Sequence, residues 1–475
     1  MADLIIRNLT ATPLELKLVE RFEGQPSEKA TGNITRRVSG FFYSTSSAVS
    51  PNVALQGEAR DRHNVSIPIG PFETRNTEVR AADPGREVIR LTFESDGYRY
   101  QVDVPSSSQR STVMERLDGA PNEYTTVYVQ AGSCLAIFSS ANLSGWMREL
   151  RDEYPLSALS IPGTHNSPTC HLALPSVRCQ AVGIREQLDN GVRFFDIRVN
   201  VSSGSSEMTL VHSAFPISLT GNKYFKDMLD VIYAFLDANP SETLIMSVKR
   251  EGTGKGTDQQ LSRILKDRFH GDGSRWYTEP RIPRLGEVRG KIVLLRRHVN
   301  DPSLDAEWGG RGWGLDGSDW PDNCADGRVA SGIARVQDFY EVDQSTNIQK
   351  KIALARSHLE RASEPVCELP PASGDEDGDG DGEAPKPPLP FFINFLSASN
   401  FFNANCWPEK IAAKANPAII EHLCLRHGED GKGPAGLKVG DASTGLVITD
   451  WVGQDGDWDL IRCIVGWNAK LQLKQ

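Results

Sequence analysis

Apolar and polar positions alternate along the first 140 residues and then change rhythm. Leu14-Glu-Leu-Lys-Leu-Val-Glu20 puts every second side chain on one face, the period of a half-buried strand. Val65-Ser-Ile-Pro-Ile69 reads as an edge strand, because Pro68 removes a ladder donor. Val88 to Glu94 and Tyr98 to Val104 alternate on either side of Asp96-Gly97, a hairpin signature. Thr125-Thr-Val-Tyr-Val129 and Cys134-Leu-Ala-Ile-Phe138 complete a set of short strands, so residues 1–140 are expected to form an all-β, sandwich-like domain. Gly40-Phe-Phe-Tyr43 is expected as a core strand rather than an exposed aromatic tip touching a membrane. Trp146, Met147 and Leu150 fall at helical spacing, which predicts a linker helix over 141–154.

From residue 155 onward, strands alternate with amphipathic helices. Within Tyr224 to Ala238, Phe225, Met228, Leu229, Ile232, Phe235 and Leu236 share one helical face, and Asn239-Pro240 ends the helix. Thr243 to Lys249 is a strand closing on a lysine, Asp258 to Phe269 a second amphipathic helix, and Lys291 to Arg297 a strand closing on two arginines. Polar residues at successive strand ends point to a parallel (β/α) barrel with its site at the strands' C-terminal mouth.

The chemistry concentrates in three of these strand ends. Ser160-Ile-Pro-Gly-Thr-His-Asn-Ser167 places His165 just after a Pro-Gly break. In Asn190-Gly-Val-Arg-Phe-Phe-Asp-Ile-Arg-Val199, Asp196 and Arg198 stand two apart and share a face, opposite Phe195 and Ile197. A carboxylate and a guanidinium on the inner face of an apolar strand are costly unless paired or used. Leu210-Val-His-Ser213 ends a third apolar run in a histidine. Two strand-end histidines with an Asp and an Arg between them suit general acid–base work on a phosphate ester.

Composition narrows the setting. The 475 residues suffice for two or three domains, and 39% hydrophobic with 24% charged residues is ordinary for a globular chain. A net charge of −10 argues against a nucleic-acid partner. No run of 18 apolar residues predicts a membrane span, and neither a signal peptide nor a lipidation tail is expected. Eight cysteines without a CxxC leave no metal-site spacing. Cys170 and Cys179 flank one loop and would pair in an oxidising compartment, but free thiols in a cytoplasmic protein are expected. Asp375 to Glu383 resembles half a calcium loop, yet its twelfth position is Lys386, so a disordered acidic and Pro-rich insertion over about 369–390 is expected instead.

Eight short segments then occur in a familiar order: Ile161-Pro-Gly-Thr-His-Asn-Ser, Phe195-Asp-Ile-Arg, Leu210-Val-His, Asn239-Pro-Ser-Glu-Thr, Arg289-Gly-Lys-Ile-Val-Leu-Leu, Trp320-Pro-Asp-Asn, Val336-Gln-Asp-Phe-Tyr and Phe392-Ile-Asn-Phe. With them, residues 155 to about 470 resemble the bacterial-type phosphatidylinositol-specific phospholipase C family. The resemblance implies an α/β fold, a distorted and incompletely closed TIM-like (β/α) barrel over 155–475, preceded by the all-β sandwich that it does not cover. It implies cleavage of phosphatidylinositol to diacylglycerol and inositol 1,2-cyclic phosphate. His165 would take the proton of the inositol 2-hydroxyl, His212 would protonate the departing oxygen, and Arg198 would stabilise charge on the phosphate. Asp450 matches the aspartate that orients the first histidine, and Asp196 and Asn166 complete the catalytic set. Lys249, Arg297, Asp338 and Tyr340 match the inositol pocket, with Trp320 beside them, and the strand-end direction is assigned to Arg297 rather than Arg296.

Two departures stand out. The bacterial family has aspartate after the first histidine, supporting the second; here Asn166 stands there, and asparagine cannot stabilise an imidazolium by charge. Metal-dependent relatives have asparagine there as a calcium ligand, but a carboxylate where this chain has Arg198, so no cofactor is expected and calcium is the alternative. Ser213 replaces a usual glycine. Leu172, Leu174, Pro175 and Val177 lie where the family has a short membrane-touching helix. The expected partner is phosphatidylinositol in a membrane surface, with no nucleic acid and no protein partner, and the expected location is cytoplasmic with transient membrane contact. The rivals are a phosphodiesterase for another headgroup or for glycosyl-phosphatidylinositol, and a non-catalytic lipid-binding relative.

Overall fold

The computed structural model describes residues 2–26, 53–106, 111–139, 142–369 and 389–475, so the Gly40 to Tyr43 segment and most of the acidic insertion lie outside the described residues. The chain divides into two compact units, one built mainly on residues 1–141 and the other on 142–419 and 427–468.

The first unit is two five-stranded sheets. One contains Asp3–Leu9 between Thr74–Arg80 and Cys134–Ser139, with Tyr124–Val129 and Ser111–Val113 beyond. The other orders Val53–Ile69, Leu14–Pro26, Glu87–Ser95, Tyr98–Val104 and Glu115–Arg116, which leaves the Pro68 strand at an edge. Their inner faces form one apolar cluster, including Leu4, Ile6, Leu135 and Ile137 from the first sheet and Leu16, Leu91, Phe93 and Val102 from the second. The Asp96-Gly97 turn has φ of 50° and 80° and joins the paired residues Ser95 and Tyr98, the left-handed pair a tight hairpin needs. The alternation from Leu14 does not run through to Leu18. A register shift between Leu16 and Leu18 inverts the phase, and Val19 is buried instead.

The second unit opens where the sequence predicts a linker helix over 141–154. The structure has a kinked 3₁₀ segment, Leu143–Glu149, because Gly145 (φ −144°) breaks the helix. Trp146, Met147 and Leu150 are nonetheless buried. A sheet then runs in the order Trp276–Tyr277, Ile292–Arg297, Leu244–Arg250, Phe194–Val201, Ile161–Thr164, Leu446–Thr449, Phe391–Phe395, Ala334–Gln337 and Gly327–Arg328. All of these neighbours pair in parallel except the last. The first and last strands of the unit, Ile161–Thr164 and Leu446–Thr449, lie side by side, as a barrel requires. Among the described residues no ladder joins the two outer edges, so this α/β barrel is TIM-like but not closed. The six apolar residues of the Phe225–Ala238 helix are buried as its periodicity predicts.

Two of the sequence segments serve the end of the barrel away from the histidines. Arg193 and Glu242, both fully buried, form an ion pair at 2.9 Å. The guanidinium also donates to the carbonyls of Leu143, Ser144, Leu188 and Val192. Removing one partner of such a pair strands a buried charge, at a cost of about 3–5 kcal/mol. Arg289 likewise donates to the carbonyls of Met147, Leu150 and Ser241. At Gly163 a Cβ would come within 2.8 Å of Phe194 Cβ and 2.6 Å of Ile448 Cδ1. Only glycine lets the three central strands approach that closely just before His165.

Candidate active site

His165 and His212 meet at the C-terminal ends of their strands, with ring centroids 5.6 Å apart and the rings nearly perpendicular. His165 Nδ1 lies 3.0 Å from Asp450 Oδ1, which leaves Nε2 as the nitrogen facing a substrate. Burial raises the Asp450 carboxyl despite this contact. Gln180 braces the pair: its Nε2 donates to the His165 carbonyl at 2.7 Å, to the Thr449 carbonyl at 3.0 Å and to Asp450 Oδ1 at 3.3 Å.

His212 is held differently. Its Nδ1 lies 2.7 Å from the Val177 carbonyl, and a carbonyl only accepts, so that nitrogen carries the proton. Burial, with Arg198 and His165 close by, pushes His212 down to about 3. Asn166 does not stand in as its partner: its Nδ2 donates to the Val211 carbonyl. The backbone N–H of Asn166 donates to Asp196 Oδ2, which locks the turn after His165. Ser213, after the second histidine, has φ 53°, a left-handed conformation that suits glycine and that serine adopts at a cost of about 1–2 kcal/mol.

Strand register builds the charged floor. Arg198 is level with Lys249, and Lys249 with Arg297, across three adjacent parallel strands. Arg198 Nε donates to Asp196 Oδ2 and its Nη1 to Glu251 Oε1, both at 3.1 Å. Glu251 also takes Lys249 Nζ at 3.1 Å and the Ser213 N–H at 2.8 Å. Burial opposes ionisation here, but Arg198, Arg297 and His165 hold the Asp196 carboxyl well below the usual range, and Arg198 and Lys249 pull Glu251 down to about 2. Arg297 turns inward, 3.7 Å from Asp196 Oδ1 and 4.0 Å from Asp338 Oδ2, and its guanidinium lies 4.0 Å from the centroid of the Trp320 ring. Arg296 instead pairs with Asp316 at 2.6 Å. Trp320 Nε1 donates to Asp338 Oδ2 at 3.0 Å. The Tyr340 hydroxyl donates instead to Asp322 Oδ1 at 2.8 Å, and its side chain packs against the cluster of Val342, Ile348 and Ile352.

The structure thus brings His165, Asn166, Asp196, Arg198, His212 and Asp450 together, with Lys249, Arg297, Trp320 and Asp338 beside them. Sequence reasoning missed Glu251, Gln180 and the Val177 carbonyl. Glu251 carried a signal, since it lies two beyond Lys249 and so on the same side of the chain. Calcium would draw on Asn166 and Asp196, but the Asp196 carboxylate lies between two guanidinium groups. A hard cation seeking six to eight oxygens does not fit that environment.

Loops that follow strands of this unit expose apolar side chains. Leu172, Leu174, Leu219, Phe401 and Phe402 are exposed, Phe402 at 93%. Phe215 and Phe401 stack with centroids 5.2 Å apart. The expected short helix near Leu172 is an irregular loop in the structure. Val177, expected on the apolar rim, is buried so that its carbonyl can meet His212.

Residues 153–298 match the family model described as phosphatidylinositol-specific phospholipase C, X domain. The 1-phosphatidylinositol phosphodiesterase of Listeria monocytogenes is 36% identical over 177 residues, covering 35% of this chain and 53% of that protein. The chain therefore spans about half the length of that relative. The 1-phosphatidylinositol phosphodiesterase of Staphylococcus aureus is 25% identical over 334 residues, covering 66% of this chain and 90% of that one. Human PI-PLC X domain-containing protein 1 is 27% identical over 201 residues, covering 34% and 60%. A double mutant of the S. aureus phosphatidylinositol-specific phospholipase C has the same fold, with TM-score 0.51 at 23% identity over 69% of this chain and 97% of that one. A further structure of that enzyme, concerned with modulation of its membrane binding, gives TM-score 0.52 at 22% identity over 69% and 97%.

Proposed function

From the premise that residues 153–298 belong to the phosphatidylinositol-specific phospholipase C X-domain family, we propose that this chain cleaves phosphatidylinositol by metal-free acid–base catalysis. The observation that carries the reading is the meeting of two histidines beside a row of three strand-end cations. His165 Nε2 takes the proton of the inositol 2-hydroxyl, and that oxygen forms a bond to phosphorus. The bond from phosphorus to the diacylglycerol oxygen breaks as His212 gives that oxygen a proton. The products are diacylglycerol and inositol 1,2-cyclic phosphate. Arg198 faces the charge on the phosphate oxygens, and Lys249, Arg297 and Asp338 bind the ring hydroxyls, with Trp320 forming the wall. The exposed leucines and phenylalanines of the loops that follow the strands enter the lipid surface, so membrane contact is peripheral. No helix among the described residues is long and apolar enough to cross a membrane. Cys170 and Cys179, which flank one loop, are both free thiols, which favours a cytoplasmic location.

Phosphorus NMR of phosphatidylinositol micelles tests the reading. A cyclic phosphate signal is expected in excess chelator and is lost in His165→Ala. A signal that needs added calcium sinks the role given to Arg198. No signal in either condition leaves a different headgroup or a non-catalytic lipid binder.

The working form has His165 neutral and His212 charged, whereas the resting environment drives the proton off His212. A phosphate monoanion bound beside His212 favours its charged form and moves the pair toward the working state. In kcat/KM the acid limb marks the titration of His212 in the free enzyme. On a soluble inositol phosphodiester it is expected below about pH 4, well under the 6.5 of an ordinary histidine. An acid limb near 6.5 contradicts the assignment of His212 as the depressed member.

A further inference from the structure

We propose that Lys351 is a positioning residue for the headgroup pocket, acting through the Gln337 amide that sets Asp338, Phe395 and Trp320. This rests on the reading of Asp338 and Trp320 as parts of the inositol site. Lys351 stands on the helix Asn347–Ser363 and is fully buried, yet it makes no contact with the reacting groups in the proposed chemistry. Among the described residues its Nζ has one hydrogen-bond partner, Gln337 Oε1 at 3.1 Å, and no ion pair. A buried ammonium with a single neutral acceptor is costly. Satisfying the amide does not call for it, because Gln337 Oε1 already accepts the Phe339 N–H at 2.9 Å.

The amide that Lys351 holds joins two strand ends. Gln337 and Asn394 are register partners on Ala334–Gln337 and Phe391–Phe395. Gln337 Nε2 donates to Asn394 Oδ1 and to the Phe395 carbonyl, both at 2.8 Å. Asn394 Nδ2 donates in turn to the Ala355 carbonyl at 2.9 Å, one turn along the helix from Lys351. All four polar atoms of the two amides are thus partnered, and the Lys351 ammonium, which only donates, fixes Oε1 toward the helix. From there the order reaches the pocket in two directions. The N–H groups of Asp338 and Phe339, on either side of the Asp338 side chain, are held by the Cys324 carbonyl at 2.9 Å and by Gln337 Oε1. Asp338 Oδ2 takes Trp320 Nε1 at 3.0 Å, and the Phe395 ring stands edge-on to Trp320 at 6.1 Å and to His165 at 6.3 Å. Burial drives Lys351 down to about 7, while the titratable groups facing it, Asp338, Asp450 and Cys324, pull it up. The clamp is therefore charge-assisted below that pH and a neutral hydrogen bond above it.

The test uses the full chain with isotope-labelled tryptophan, its Trp320 indole signal assigned by Trp320→Phe. The comparison is Lys351→Met, which keeps an unbranched buried side chain and removes the charge. In that variant the Trp320 indole N–H is expected to exchange with solvent about 10-fold faster, while the Trp146 indole N–H, held by the Gly191 carbonyl, is unchanged. In the unmodified chain the Trp320 signal is expected to titrate with a midpoint near 7, and Lys351→Met abolishes that titration. On a soluble inositol phosphodiester KM is expected to rise about 10-fold in the variant, with kcat changed less than about 3-fold. Equal acceleration at Trp146 and Trp320 shows general loosening and overturns the proposal. An unmoved Trp320 signal, or a fall in kcat at constant KM, overturns it too. If Lys351→Met does not fold, the unmodified chain decides alone, and a Trp320 signal that is flat through neutral pH overturns the proposal. A Trp320 response without lipid turnover upholds the positioning network and sinks the phospholipase reading. Turnover with an unmoved Trp320 does the reverse.

Discussion

Replacing His165 by alanine is expected to lower kcat on phosphatidylinositol by about 10²–10⁴-fold while leaving KM nearly unchanged. On the proposed mechanism the loss falls on kcat, because the imidazole would act only as the 2-hydroxyl proton leaves, while Lys249, Arg297 and Asp338 would hold the inositol ring. Asp450→Asn is expected to fall in the same direction by less, since it keeps the shape of the contact at 3.0 Å but not its charge. The two changes act on one unit, so the double variant should lose little more than His165→Ala alone. Gln180→Met is the matching test of the brace. It removes a donor shared by the His165 and Thr449 carbonyls, so kcat drops while ring binding persists. Steady-state rates on mixed micelles, with folding checked by circular dichroism, decide the matter. A rise in KM without a fall in kcat would show that His165 binds the headgroup rather than removing its proton.

Much of this site can be read in the sequence because the barrel converts strand alternation into geometry. Asp196 and Arg198, two apart, face the same way, and the parallel register carries that level to Lys249 and Arg297. The same rule applied two residues past Lys249 reaches Glu251. Gln180 and the Val177 carbonyl lie in an irregular loop, where no period tells which way a group points, and a backbone carbonyl leaves no mark in residue identity. The Asn166 departure reads differently once that carbonyl is seen. The second histidine is positioned without a carboxylate, by the main chain of a loop the alternation pattern never reaches. In the first unit the misreading was one of phase: alternation predicts Leu18 inside, and a single bulge puts Val19 there. The joining helix failed at one residue, Gly145, whose conformation is not helical.

Arg198→Lys is expected to lower kcat by about 10²–10³-fold, although the charge is kept. The guanidinium is aimed before substrate arrives. Its Nε contacts Asp196 and its Nη1 contacts Glu251, which fixes the plane of the fork and the direction of the remaining donors. An ammonium cannot contact both carboxylates and still present donors to two phosphate oxygens, so the growing charge loses its fixed partner. Glu251→Gln should cost less, because Asp196 still holds one side of the fork, but it also releases Lys249 and so raises KM as well as lowering kcat. Phosphate diesters with one non-bridging oxygen replaced by sulfur give the discriminating readout. The unmodified chain should prefer one stereoisomer strongly, because the aimed fork distinguishes oxygen from sulfur at one position. In Arg198→Lys that preference should collapse toward unity along with kcat. A variant that loses rate but keeps the full stereochemical preference would place another cation of the row, Lys249 or Arg297, on the reacting oxygens, and would reduce Arg198 to a counter-charge for Asp196 and Glu251.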